Sequence, residues 1–115
     1  MAKRISIEEI AATVSARLTA MREEVKHLAQ ESPVESPVER AKKRAWFETR
    51  NQLRTLGSFM RGLPVDWTFT VEVRTLPPSL RSLMVSGKTT KEEELPGALQ
   101  ELMVLISERL MATTH

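Results

Sequence analysis

Apolar residues along the first thirty positions recur at helical intervals. Ile7, Ala11, Val14, Leu18, Met21, Val25 and Leu28 follow one another at spacings of 4, 3, 4, 3, 4 and 3. That is a heptad seam. Ahead of it Ser6 and Glu9 form a capping box, serine accepting from the Glu9 amide and glutamate returning to the Ser6 amide. A helix over residues 6–31 is predicted. A straight helix drifts by about 20° per heptad against such a repeat, so its partner should be another long helix at a shallow angle. Ala12, Ala16 and Ala20 keep one flank small. Two partners fit the seam: the next helix of the same chain in a hairpin, or a second copy in a homodimeric coiled coil. The shortness of the connection that follows favours the hairpin.

The connection, residues 31–39, writes Glu-Ser-Pro-Val twice and then Glu39. Each proline pushes the serine before it out of helical angles, which ends the first helix by Glu31. Either Ser-Pro-Val-Glu can open a helix, with serine as N-cap, proline at N1 and glutamate at N3. Ser36 is the better start, because the apolar period runs cleanly from Val38. Capping also accounts fully for the Ser-Pro pairs without invoking phosphorylation. From Val38, the positions Ala41, Ala45, Leu53, Leu56, Phe59, Met60 and Leu63 occupy one continuous arc, with Thr49 and Gln52 on the same side. Gly62 at C′ and Pro64 beyond it form a stop. The second helix is therefore placed at residues 37–61, about 37 Å long at about 1.5 Å per residue.

Beyond it the period changes to two. Trp67, Phe69, Val71 and Val73 alternate with Thr68, Thr70, Glu72 and Arg74, a half-buried strand over residues 66–75. Leu76-Pro77-Pro78-Ser79 breaks it. Residues 80–86 read as a returning strand or a helical turn. The strand is chosen, since a lone strand needs a ladder partner for its backbone groups. A last helix over residues 92–111 starts with Glu92, Glu93 and Glu94 at its positive end. Its apolar arc of Leu95, Ala98, Leu99, Leu102, Met103, Leu105, Ile106 and Leu110 is wide enough to require cover on both sides. The fold class that follows is α+β: a long antiparallel helical pair, a short antiparallel β-hairpin, and a C-terminal helix packed on it.

Composition adds bounds. With 115 residues, 41 % of them hydrophobic and 28 % charged, the chain reads as one domain, 1–115, able to bury a core without staples. It has no cysteine, which removes disulfides, thiolate metal sites and cysteine nucleophiles and suits a reducing compartment. No apolar run approaches the roughly 18 residues of a membrane span. The basic start at Lys3 and Arg4 runs into a helical pattern with Glu8 and Glu9, unlike a signal peptide. A cytoplasmic protein without membrane contact is expected. All five aromatics (Trp46, Phe47, Phe59, Trp67, Phe69) lie in or just after the second helix. Aromatics bring the largest burial per residue, so the core is expected to centre there.

Charge is distributed unevenly. Residues 37–63 carry seven basic and two acidic side chains, while residues 89–115 carry two basic and five acidic. Positive charge is thus a property of the second helix, and projection concentrates it further. Arg40, Lys43, Arg44, Arg50, Arg54 and Arg61 line roughly a third of that helix, opposite its apolar face. Phe47 lies in their midst and Trp46 at the border. A stripe of arginines can neutralise phosphates and release counterions, and an aromatic among them can stack on a base or wedge into a groove. The same stripe could dock an acidic protein, and a long helix needs a solvated face in any case. The reading adopted is a small non-enzymatic protein that binds nucleic acid through the phosphate backbone. The alternative is a protein–protein interaction module (regulator, inhibitor or assembly factor) for an acidic partner. Phe47 decides between them: exposed among the arginines it favours binding, and buried against a helix it leaves only solvated charge.

Other chemistry finds little support. Val85-Ser86-Gly87-Lys88-Thr89 has the end of a phosphate-binding loop, but Ser82 stands where the motif needs its first glycine. A turn with Gly87 at positive φ explains it better. Glu24 and His27 have the spacing of a di-iron ligand pair, but the other histidine is His115 and no second pair exists. A surface His27 is expected. Hydrolase triads lack a credible histidine, and no glycine-rich nucleotide loop is present. No cofactor, metal or catalytic residue is assigned.

Overall fold

Both serine-started helices form where their caps place them. In the computed structural model, which describes residues 3–113, α1 spans Ile7–Glu31 and α2 spans Pro37–Arg61. Ser6 Oγ accepts from the Glu9 amide at 3.1 Å, and Ser36 Oγ accepts from the Glu39 amide at 3.1 Å. Proline occupies the first turn of α2, where its missing N–H costs nothing. Gly62 caps α2 at φ −86°, a right-handed conformation. The helix therefore ends by tightening, with Gly62 N–H on the Phe59 carbonyl and Leu63 N–H on the Met60 carbonyl, before Pro64 makes continuation impossible. The two helices lie antiparallel and pack on each other along the seam. Ile7, Val14 and Met21 of that seam are buried.

Two strands complete the α+β fold, with a partner other than the expected one. The strand β1 (Arg4–Ser6) pairs antiparallel with β2 (Thr70–Glu72), Ile5 opposite Val71. Ile7 N–H to the Phe69 carbonyl and Val73 N–H to the Lys3 carbonyl, both 2.9 Å, extend the ladder one residue each way. The sheet is thus a non-local pairing rather than a hairpin. The regular strand is also shorter than residues 66–75. A turn with Trp67 N–H on the Pro64 carbonyl precedes it, and a 3-10 turn over Val73–Thr75 follows.

The returning strand over residues 80–86 is corrected to a helix, α3 (Pro78–Ser86). Its ladder role is already filled by β1. Pro78 sits in the first turn, and Gly87 closes the helix at φ 72° with its N–H on the Leu83 carbonyl. Only glycine adopts that left-handed cap without strain. Leu76, Leu80 and Leu83 are buried at spacings of 4 and 3, while Val85 is 72 % exposed, so the period was helical.

The C-terminal helix α4 (Leu95–Thr113) follows a 3-10 turn over Glu92–Glu94. Leu95, Leu99, Leu102 and Ile106 are fully buried, packed against α2 on one side and α3 on another. This moves the core. Among the described residues seventeen hydrophobic ones are buried and none is aromatic, so the expectation of a core centred on the aromatics is wrong. The aliphatic arc of α4, packed on α2 and α3, is its centre. Trp46, Phe59, Trp67 and Phe69 only cover its rim. The molecule is long and thin, 58 × 30 × 17 Å, because the outer part of the α1–α2 hairpin runs beyond that core.

Candidate nucleic-acid interface

The outer face of α2 is set by what its other faces must do. One side meets α1, where Lys42 pairs with Glu24. Another meets α4, and Leu56 is fully buried in the core. The remaining arc is left to solvent, and it is the arc that carries the cations. Arg40, Lys43, Arg44, Arg54 and Arg61 are exposed and Arg50 is half-buried.

Their partners differ along the helix. Near the tip, the Glu35 carboxylate receives Arg40 Nε at 3.1 Å and lies 3.8 Å from Lys43 Nζ. Further along, neither Arg44 nor Arg54 has an ion-pair partner among the described residues. Arg61 Nη2 donates to Ser58 Oγ at 3.0 Å. Arg61 lies 17 residues beyond Arg44, about 26 Å along the axis at about 1.5 Å per residue, so it stands apart from the cluster around Phe47.

The aromatic pair divides its roles. Trp46 is half-buried, with the Arg50 guanidinium 5.7 Å and the Arg22 guanidinium 6.0 Å from its ring centroid, geometry for cation–π attraction. Phe47 is 42 % exposed, its centroid 4.7 Å from that of Trp46 with the planes at 66°. The residue that decides the reading is therefore on the surface among the arginines.

Two contributors were missed from sequence. Arg22 reaches the site from α1, a meeting that depends on the register between helices. Asn51 is exposed on the same arc, one turn from Phe47. The i, i+4 spacing was available to find it.

Other features do not build a site. A groove of about 600 Å³ lies between α1, the first turns of α2 and residues 89–93. Three of its cations are paired, Arg17 with Glu92, Lys42 with Glu24 and Lys91 with Glu94, whereas Arg44, which also lines it, has no ion-pair partner among the described residues. Gly87 lies at the C-terminal end of α3, whereas phosphate loops lead into a helix N-terminus. His27 is a surface group, 3.0 Å from Glu31. Among the described residues no cluster of three His, Asp or Glu side chains is placed to hold a metal, and no helix is long and apolar enough to cross a membrane. Comparison with known proteins finds no match among family models, curated proteins or solved structures.

Proposed function

We propose that this chain is a small non-enzymatic protein that engages nucleic acid through its phosphate backbone, using the outer face of α2. The observation that carries the reading is Phe47, 42 % exposed within an arc of cations rather than packed under another helix. Beyond the edge contact of Phe47 with Trp46, the fold gains little from that arrangement. A half-exposed phenyl ring forgoes apolar burial, and clustered like charges repel.

The residue types also favour phosphate. Most of the stripe is arginine, whose planar guanidinium presents paired donors to a phosphate and is more weakly hydrated than lysine. Contacts of this kind hold the backbone and carry no sequence information of their own.

The test is a salt titration of binding to labelled oligonucleotides. For four to six phosphates engaged, the slope of log K against log salt should be about −3 to −5. Replacing Arg40, Arg44, Arg50 and Arg54 together with glutamine should remove most of that slope and leave the fold intact. Binding insensitive to salt, or unchanged in the fourfold variant, sinks the reading. Equal binding to polyglutamate would transfer the surface to an acidic protein partner.

A further inference from the structure

We infer that the nucleic acid this surface takes is single-stranded, with one unpaired base stacked on Phe47. The inference rests on the reading of α2 as a phosphate-binding face and names the form of nucleic acid bound there.

On a helical surface the positions three and four residues away lie next to a side chain. For Phe47 these are Lys43, Arg44, Arg50 and Asn51. All four carry hydrogen-bond donors and three are cations. A phenyl ring ringed by donors is a stacking platform inside a phosphate-binding surface, the combination by which unpaired strands are held without sequence preference.

Ring geometry supports this. Trp46 and Phe47 meet at 66°, so they do not stack in parallel, and Phe47 as a residue retains 42 % exposure. Trp46 is already engaged by two guanidinium groups. That pairing fixes the indole as a support, and Phe47 is the ring left for a ligand.

A duplex fits less well. Its base faces are already stacked, so a phenyl ring gains one only by unstacking a step. The helix carrying Phe47 also does not project alone. It is paired with α1, and two helices of about 10 Å each exceed the roughly 12 Å width of a major groove. An unpaired strand offers its bases without either obstacle.

The experiment compares a labelled 20-nucleotide oligothymidine, an oligouridine of the same length and a 20-base-pair duplex at one salt concentration. Each is titrated with the full chain, with Phe47→Ala, with Phe47→Trp and with the fourfold glutamine variant. Expected is tighter binding of one or both single strands than of the duplex. Phe47→Ala should weaken single-strand binding about five- to a hundredfold, leave duplex binding within about twofold, and be rescued by Phe47→Trp. The two single strands separate a DNA ligand from an RNA one. Circular dichroism confirms that each variant is folded. Single-strand binding that is salt-dependent and lost in the glutamine variant, yet unchanged by Phe47→Ala, overturns this inference alone. A preference for the duplex also overturns it. Failure of every oligonucleotide to bind in a salt-dependent way overturns the underlying reading with it.

Discussion

The two halves of the α1–α2 hairpin are built from the same kind of sequence and end in different physical states. At the base, Ile7, Ile10 and Val14 of α1 and Leu56 of α2 are all fully buried, in the core cluster to which α4 also contributes. At the tip, no apolar residue between Met21 and Ala45 is buried, and Val38 is 57 % exposed although it sits on the same apolar arc as Leu56. The tip instead holds Arg22, Arg40, Lys43, Arg44, Trp46 and Phe47. A helical period is therefore not a statement about burial. Burial depends on whether a third element packs closely on that part of the helix: α4 packs on α2, whereas beside Val38 and Ala41 residues 89–93 leave an open groove. The part the fold leaves uncovered is where charge and an exposed aromatic collect, so stability and binding should be separable by position along one helix.

The largest effect should come from emptying the base. Leu56→Ala removes a fully buried side chain from the core and should cost about 2–5 kcal/mol. Val38→Ala, on the same arc at the tip, should change stability by no more than about 0.5 kcal/mol. Urea denaturation of the two variants at matched pH reads the difference. Equal losses would mean that the tip is covered in solution, for instance by a second copy through the seam of α1, and concentration-dependent melting would then reveal the dimer.

Caps make a finer comparison, because the same bond stands at both ends of the hairpin. Ser6 and Ser36 each accept from the amide three residues on at 3.1 Å, and loss of such a cap costs about 1 kcal/mol. Ser6 also belongs to β1, so Ser6→Ala should lower global stability. Ser36→Ala acts on a segment without buried apolar contacts. Its cost should appear chiefly as faster amide exchange in the first turns of α2, with a smaller shift in the urea midpoint. An equal global cost for both would show that tip and base unfold as one unit.

These contrasts also locate what the sequence could reveal. Helix starts were legible because Ser-x-x-Glu and Ser-Pro act locally, and the end of α2 because Pro64 does. The wide arc of α4 correctly demanded cover on two sides. The strand partner was not legible. β1 has three residues, too few for alternation to show, and it pairs across most of the chain. Leu80 and Leu83 were misread because a short apolar run does not distinguish period two from period 3.6 unless Leu76 is counted with it. The core was misplaced because burial was weighed by side-chain size, whereas the aliphatic α4 won the centre. In the candidate site, the cation arc is a property of one helix and could be projected. Arg22 over Trp46 and Glu35 on Arg40 depend on how α1 and the connection fold back, which no single-helix projection contains.

A carboxylate held by two cations occurs in each half, and acid tests the one at the base. Glu72 takes a 2.6 Å contact from Arg74 Nε, with Arg4 at 3.8 Å. The hydrogen bond from Arg74 holds its pKa below the ordinary carboxylate value, assisted by the charges of Arg74, Arg4 and Arg109. A depressed folded-state pKa means stability that is fully present above the unfolded value of 4.5 and lost as pH falls through the lower folded one. Between pH 6 and pH 3 the parent chain should therefore lose more stability than Glu72→Gln, which lacks the titrating group. Identical acid dependence would mean that these arginines do not hold the carboxylate in solution.

Glu35 is the counterpart at the tip, and there the consequence should fall on binding. Its carboxylate meets Arg40 and Lys43, the two stripe cations nearest the loop. Exposed pairs of this kind contribute about 0.2–1 kcal/mol, so Glu35→Gln should lower stability by no more than about 1 kcal/mol. A phosphate must compete with that carboxylate for both cations. Removing it should raise oligonucleotide affinity about two- to fivefold at low salt, with the gain fading as salt screens the pair. A gain that survives high salt would point to a change of loop shape instead of charge. No gain at any salt would move the binding face away from the tip, towards Arg50, Arg54 and Arg61, and the line between a stabilising base and a binding tip would have to be redrawn along α2.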